Sequence, residues 1–348
     1  MDFGVGLGAE LRFDEVAEHT RVADESGFSH ITFVDQSNVS RECLGMMTIA
    51  AQNSRRAHIG HGVVDPIMYH PAVIGNFTAS LRELTGGRTF IGIGAGTPSA
   101  GKALGRPAGL KAQREAVEFL RRFTAGDEAV LWGSPWHSEW IRNSTWSGKP
   151  IEIWMGPLGP RAMALAGEIA DQIWIFGGGE PELVKFYLEQ IKKGADRAGR
   201  DFEKIKVWAR TEVFLCDKKE DAFNECSSYA ASCAQAVWSS ALSWNRPEAA
   251  DLHNRLERKS PGLVEEMKII YDNFDPYFHE SIKADHKQFT TQRIMDTINL
   301  VGPAEEIIEK IRILEELGVY GVSCVQYAVL DQKANMRAIA DKIMPHFR

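Results

Sequence analysis

The residues of this chain best suited to chemistry are its glycine-rich turns. Gly92-Ile93-Gly94-Ala95-Gly96-Thr97 closes one apolar run, Gly156-Pro157-Leu158-Gly159-Pro160-Arg161 follows another, and Gly177-Gly178-Gly179 follows a third. Backbone NH groups freed by such turns at a helix start suit a phosphate. The second and third turns lie in adjacent loops and form a candidate phosphate cup through Gly156, Leu158, Gly159, Gly177 and Gly178. The first turn adds Gly94 and Gly96 as candidate ligand contacts. It lacks the complete GxGxxG that opens a helix, and no early βαβ fingerprint exists, which disfavours a Rossmann nicotinamide site.

The histidines raise the question of a metal. His58 and His61 stand three apart in one apolar run, so in a strand they face opposite ways and cannot share an ion. His70 precedes Pro71, where it either caps a helix or faces a site. No GxSxG elbow is present, which argues against serine hydrolase chemistry. Cys43, Cys216, Cys226, Cys233 and Cys324 form no CxxC pair. Cys226 and Cys233 lie two helical turns apart, roughly 10 Å by helical rise, too far for a disulfide. An odd number of scattered thiols fits a reducing cytoplasm.

These residues need elements to position them. Short apolar runs recur at Phe3–Gly8, His30–Asp35, His58–Val64, Thr89–Ala95, Ile151–Met155, Gln172–Gly177, Ile205–Leu215 and Val319–Tyr327. Near-continuous apolar character marks strands covered on both faces. Helical patterns between them span Phe13–Ser26, Pro71–Leu84, Leu110–Phe123, Arg161–Gly167, Glu182–Ala198 and Ala304–Leu317. Eight strand–helix units predict a single (β/α)8 barrel, the TIM-barrel class, over residues 1–348. Such a barrel places its site where the strands end at their C-terminal face.

Two stretches exceed what a barrel needs. Gly126–Pro150 is turn-rich and reads as a surface hairpin or lid. Residues 217–290 read as a helical insertion between the seventh and eighth strands, near the mouth. Its aromatic residues, among them Trp238, Trp244, Tyr271, Tyr277 and Phe289, either wall a pocket or pack the insertion's own small core.

The bulk properties narrow the partners. The chain has 348 residues, 40 Lys+Arg, 47 Asp+Glu and a net charge of −7. Mild acidity argues against nucleic acid and against a basic membrane-surface helix. The uncharged stretch Cys226–Asn245 carries too many serines for a lipid-facing span and reads as a buried or pocket-lining helix. The N-terminus, MDFGVGLG, has no basic-then-apolar signal pattern.

Three longer stretches carry a family resemblance. GHGVVDPIMYHPAVIGNFTASLRELTGGRTFIGIGAGT (Gly60–Thr97) resembles the central signature of the bacterial luciferase-like superfamily. Its flavour is that of coenzyme F420-dependent methylenetetrahydromethanopterin reductases. IEIWMGPLGPRAMALAGEIADQIWIFGG (Ile151–Gly178) and VGPAEEIIEKIRILEELGVYGV (Val301–Val322) are similar to later parts of the same family. The resemblance covers most of the chain outside residues 217–290.

The resemblance implies a barrel that binds F420, or alternatively FMN, at its mouth. It implies a non-proline cis peptide at Gly62–Val63, backing the ring. It also implies a ring-side position for Asp35 and Gln36, where many relatives carry Asp-His. Gln36 cannot titrate, which puts proton delivery through that position in doubt. Thr97 stands where relatives often carry an acid. Glu10 either fills that acid role or lies in a solvated loop.

The implied activity is hydride transfer between F420 and an organic small-molecule substrate, apolar or aromatic by the character of the insertion. The alternatives are a reduced-FMN monooxygenase, which would use dioxygen, and a flavin-binding protein without turnover. Relatives are commonly dimers.

Overall fold

The computed structural model describes residues 1–8, 11–35, 40–96, 108–131, 138–141, 149–278 and 281–347. Eight parallel strands close on themselves: β1 (Asp2–Leu7), β2 (His30–Phe33), β3 (His58–His61), β4 (Thr89–Gly94), β7 (Glu152–Gly156), β8 (Gln172–Phe176), β9 (Lys206–Leu215) and β11 (Gly321–Val325). Each pairs with the next, β8 with β9, β9 with β11, and β11 with β1, so the TIM barrel is complete. A short strand, β10 (Leu300–Gly302), extends the end of β9. Strands β5 (Ala129–Leu131) and β6 (Ser138–Ile141) pair antiparallel as the expected hairpin.

Helices α1 (Val16–Glu25), α2 (Cys43–Asn53), α3 (Pro71–Thr85), α4 (Leu110–Ala125), α5 (Pro160–Ile169), α6 (Pro181–Arg197), α11 (Ala304–Glu316) and α12 (Gln332–Lys342) lie in the outer part of the chain order, between or after barrel strands. Proline opens α3, α5 and α6, where its missing NH would have had no partner. Two of these helices escape the sequence reading. In α2 apolar residues run almost all round, so no face stands out, and its cap is Glu42, whose carboxylate accepts from Leu44 N at 2.8 Å and Gly45 N at 2.6 Å. Helix α12 follows the last strand and mixes charges among its buried positions.

The insertion is helical, as expected. It holds α7 (Phe223–Val237), a π-helical turn (Trp238–Leu242), α8 (Pro247–Lys259) and α9 (Leu263–Asp272), before α10 (Gln292–Ile298). Helix α7 is buried along nearly its whole length and carries Cys226 and Cys233 as free thiols. No helix among the described residues is long and apolar enough to cross a membrane.

Aromatic rings fill the base of the barrel. Phe90, Trp154, Trp174 and Trp208 surround His30, whose ring centroid lies 4.6 Å from Trp208 and 5.0 Å from Trp154. Burial holds the His30 imidazole well below its usual pKa, so it is a neutral core group. Its Nε2 meets Ser323 Oγ at 3.3 Å.

Candidate active site

Above this floor the chain departs from regular strand geometry. The Gly62–Val63 peptide is cis, as the resemblance implies. Neighbouring strands hold the bulge from both sides. Gly62 N donates to Phe33 O at 2.8 Å, Asp35 N to Val63 O at 3.3 Å, Val64 N to Gly92 O at 2.8 Å, and Gly94 N to Val64 O at 3.2 Å.

The bulge explains the glycine spacing of β4 better than a phosphate loop does. A Cβ at Gly92 would stand 2.1 Å from His61 O, one at Gly94 2.4 Å from Val63 Cγ2, and one at Gly96 2.2 Å from Asp65 Oδ2. Alternate positions of β4 thus clear room for alternate positions of the adjacent segment. Gly156 completes the recess, since its Cβ would lie 3.0 Å from Val63 Cγ1.

Arg210 grips the bulge from beneath. It projects from β9 into the barrel, almost wholly buried. Nη2 donates to Gly62 O at 2.9 Å and to the Tyr327 hydroxyl, and Nη1 to Thr32 Oγ1 at 3.2 Å and Ser323 Oγ at 3.3 Å. One guanidinium therefore ties four strands or strand ends together, which its planar fork of donors permits.

Two ionisable groups flank the bulge on opposite sides. His61 points outward to Phe77, with a ring separation of 6.1 Å, and neither ring nitrogen has a hydrogen-bond partner among the described residues. Burial pushes its pKa down to about 3, so it stays neutral. His58 faces the other way and is exposed, as strand alternation requires. His70 takes the capping alternative: its Nδ1 accepts from Ala72 N at 3.1 Å. Among the described residues no group of three or more His, Cys, Asp or Glu gathers as a metal site needs.

Asp65 is the more telling group. Its Oδ1 accepts from Ile67 N at 2.8 Å, while Oδ2 is buried with no partner among the described residues, and the residue is 1% exposed. Burial pushes the carboxyl up to about 6. A buried carboxylate oxygen with no partner among the described residues, beside a strand-end bulge, is a group that can take one from elsewhere.

The two candidate phosphate loops part company. Gly177 N already donates to Arg210 O at 3.1 Å, and Gly178 N to Ile298 O at 3.0 Å. A Cβ at Gly179 would sit 1.9 Å from Asp296 O. This turn is glycine-rich because it packs against the residue 296–299 segment, and neither of those two amides is free for an anion. Of the two candidate loops, only the Gly156–Gly159 loop leads into a helix start whose amides have no acceptor among the described residues.

That loop is better equipped. Gly159 has φ 79° and no side-chain cap, and α5 begins directly after it. Among the described residues no acceptor meets the amides of Gly159, Arg161 or Ala162. A helix N-terminus with unbonded NH groups and an adjacent Arg favours an anion. The insertion presses on the loop from outside: a Cβ at Gly159 would stand 2.4 Å from Ser240 O. A cavity of about 210 Å³ opens there, lined by Leu158, Gly159, Arg161, Ser240, Trp244 and Arg246 among others.

The insertion's aromatics divide, and those that pack do so against the core shared with the barrel, not against a small core of the insertion's own. Trp244 walls a pocket, Trp238 and Phe289 pack against the core, and Tyr271 and Tyr277 are exposed on the surface.

Of the sequence-derived candidates, Asp35, Gly62, Val63, Gly94, Gly96 and Gly156 meet at the bulge, while Leu158 and Gly159 lie at the start of α5. Gln36, Glu10 and Thr97 lie outside the described residues. Sequence reasoning missed Asp65, Arg210, Tyr327 and Glu212, a fully buried carboxylate on β9 whose charge helps raise the Cys226 thiol. A signal existed for two of them. Arg210 and Glu212 are charges two apart within an otherwise apolar strand, hence on one face, and buried charges are rare without a task.

Comparison with known proteins agrees with this geometry. The family described as luciferase-like monooxygenase matches residues 1–321. The chain is 25% identical to the 5,10-methylenetetrahydromethanopterin reductase of Archaeoglobus fulgidus, covering all of both sequences. It is 29% identical over 225 residues to the F420-dependent hydroxymycolic acid dehydrogenase of Mycobacterium tuberculosis, covering 61% of each. The solved coenzyme F420-dependent tetrahydromethanopterin reductase of Methanopyrus kandleri superposes with a TM-score of 0.79 at 20% identity, over 100% of this chain and 99% of that one.

Proposed function

The chain belongs to the luciferase-like monooxygenase family, and from that premise we propose that it is an oxidoreductase moving hydride between coenzyme F420 and an organic small-molecule substrate. The observation that carries this reading is the pairing, at one end of the barrel, of the Val63 bulge with an uncapped helix start at Gly159. The first suits a flat ring and the second an anionic group. The F420-dependent relatives named above support F420 as that ligand.

The residues present fit such a group. Gly62, Val63 and Gly94 would back the ring, with Asp35 beside them. Leu158, Gly159 and Arg161 would meet the phosphodiester. When bound, the deazaflavin supplies a carbon that exchanges hydride with the substrate.

The chain's own residues do the rest. Arg210 holds Gly62 O and so sets the height of the bulge. Asp65, with one oxygen unpaired and its carboxyl titrating at about 6, can hold or release a proton near neutral pH. It takes the titrating role that Gln36 cannot. The family's description favours one other reading, an FMN-dependent monooxygenase. A homodimer and a cytoplasmic setting belong to the same proposal, the first by resemblance and the second by the five free thiols.

The test is direct. Purified protein should quench or shift F420 fluorescence on titration, and reduced F420 should be consumed with a suitable carbonyl or imine acceptor. Tight binding of FMN with none of F420 would replace this reading with the monooxygenase.

A further inference from the structure

The aromatic floor of the barrel is also a path. Trp174 lies directly beneath the bulge: a Cβ at Gly92 would stand 2.9 Å from its Cζ3 and 2.1 Å from His61 O. Its ring centroid is 4.8 Å from that of Trp154. Trp154 stacks on Trp208 at 5.6 Å with an interplanar angle of 22°, and Trp208 meets Tyr320 at 5.1 Å. The three indoles are almost wholly buried, while Tyr320 is 38% exposed, just before β11 at the opposite end of the barrel from the bulge. Four rings in successive contact therefore join the base of the candidate site to solvent. Packing alone does not ask for this composition. Barrel interiors are ordinarily filled by branched aliphatic residues, yet three of the nine tryptophans of the chain stand in this one stack. Indole and phenol are the readily oxidised rings among the side chains, so such rings in contact can pass a one-electron vacancy along.

The charges around the stack give it a direction. Arg210 lies over Trp174, 5.4 Å from the ring centre, and so disfavours a positive vacancy on the first ring. Trp154 Nε1 donates to Glu152 Oε2 at 3.0 Å. Trp208 Nε1 donates to Gln172 Oε1 at 2.7 Å, and the Gln172 amide donates to the same Glu152 oxygen at 3.0 Å. A carboxylate bonded to the second ring, and through one amide to the third, favours a vacancy there. His30, in edge contact with both, stays neutral and adds no opposing charge. Tyr320 ends the path in water, where a phenol gives up its proton as it gives up its electron. No positive charge then remains on the ring beside Lys206, whose Nζ lies 4.4 Å over it.

We propose that Trp174, Trp154, Trp208 and Tyr320 drain oxidising equivalents from the ring-binding site to the surface. The inference rests on the reading of the bulge as the seat of a flat redox ring, and it holds for a deazaflavin and a flavin alike. The oxidant is such a ring in its oxidised, light-excited form. Trp174 gives it one electron, Trp154 refills Trp174, Trp208 refills Trp154, and Tyr320 refills Trp208 while releasing its phenolic proton to water. In sum, one electron passes from the phenol to the ring, one proton passes to water, and a neutral tyrosyl radical is left at the surface, away from the site.

The experiment excites the protein with a laser flash, once saturated with F420 and once with FMN, and follows radicals by transient absorption and by electron paramagnetic resonance of frozen samples. In the wild type a tryptophanyl signal should give way to a tyrosyl signal. Tyr320→Phe, a change at a partly exposed ring, should lose the tyrosyl signal and leave a longer-lived tryptophanyl one, with ring affinity unchanged. Trp208→Phe, which interrupts the stack, should also lose the tyrosyl signal but shorten the tryptophanyl one, since the vacancy then stays near the site and recombines. A wild type with its ring bound that yields no tyrosyl radical, or a tyrosyl signal undiminished in Tyr320→Phe, overturns the proposal while leaving the ring site intact. Failure of both rings to bind overturns the reading of the bulge, and the role of the path with it.

Discussion

At the scale of single residues, Asp65 and Arg210 decide most. Asp65 is a carboxyl whose burial raises its pKa from an ordinary 3.8 to about 6. The folded state therefore binds a proton that the unfolded chain has already released. Stability from this group is fully present below about pH 4 and is lost as pH rises through about 6. The loss is up to about 3 kcal/mol, less where water screens the carboxyl. Asp65→Asn should remove this dependence, so urea melts at pH 8 should find the variant more stable than wild type, by about 1–3 kcal/mol. Equal slopes of stability against pH in the two proteins would show that Asp65 does not titrate in this range. Arg210 works in the opposite sense. Arg210→Met keeps an apolar stem of similar length but removes the charged donor shared by Gly62 O and the hydroxyls of Thr32, Ser323 and Tyr327 in the barrel. Denaturation should show a loss of roughly 3 kcal/mol or more. Arg210→Lys keeps a charge but cannot span both pairs of partners. It should retain the fold and weaken cofactor binding about tenfold in a fluorescence titration.

At the scale of elements, the start of α5 carries the next expectation. Gly159→Ala places a Cβ 2.4 Å from Ser240 O at a φ of 79°, a region that costs a side chain about 1–2 kcal/mol before any clash. The loop or the π-helical turn must move. Affinity for the phosphate-bearing cofactor should fall severalfold, and affinity for the bare deazaflavin riboside, which lacks the phosphate, should hold. Equal losses for both ligands would mean that the loop shapes the ring pocket instead. Elements were also where the sequence spoke most plainly. All eight barrel strands fall on the apolar runs to within one residue, because strands covered on both faces need no alternation to be seen. Helix α2 was hidden by the same rule, since burial on most sides erases an amphipathic pattern. The glycines were visible but ambiguous. A run such as Gly92-Ile93-Gly94-Ala95-Gly96 states that side chains are absent, and only three-dimensional proximity to His61, Val63 and Asp65 says what takes their place. That the amides of Gly177 and Gly178 are already bonded was hidden for a like reason: their acceptors, Arg210 O and Ile298 O, are remote in sequence.

At the scale of the whole molecule, the barrel and its insertion form a clamp on one region. The insertion reaches the mouth through Ser240 at Gly159 and through Tyr229, whose hydroxyl donates to Arg210 O at 3.1 Å. The strand that carries Arg210 is thus tied to the helix that lies over it, and a ligand seated against the bulge and the start of α5 would touch elements from both. Such a ligand binds the folded chain and not the unfolded one, so it must raise the melting temperature. At a free concentration about a hundred times its Kd, the gain is about 2.7 kcal/mol. Spread over the unfolding entropy of 348 residues, this corresponds to a rise of about 4 °C. F420 should produce that rise, while FMN at the same concentration should move the transition by less than about 1 °C. The contrast reads out ligand choice without turnover, and so separates a hydride carrier from an oxygen-using flavin before any substrate is known. A rise with FMN and none with F420 would assign the clamp to the monooxygenase chemistry of the family.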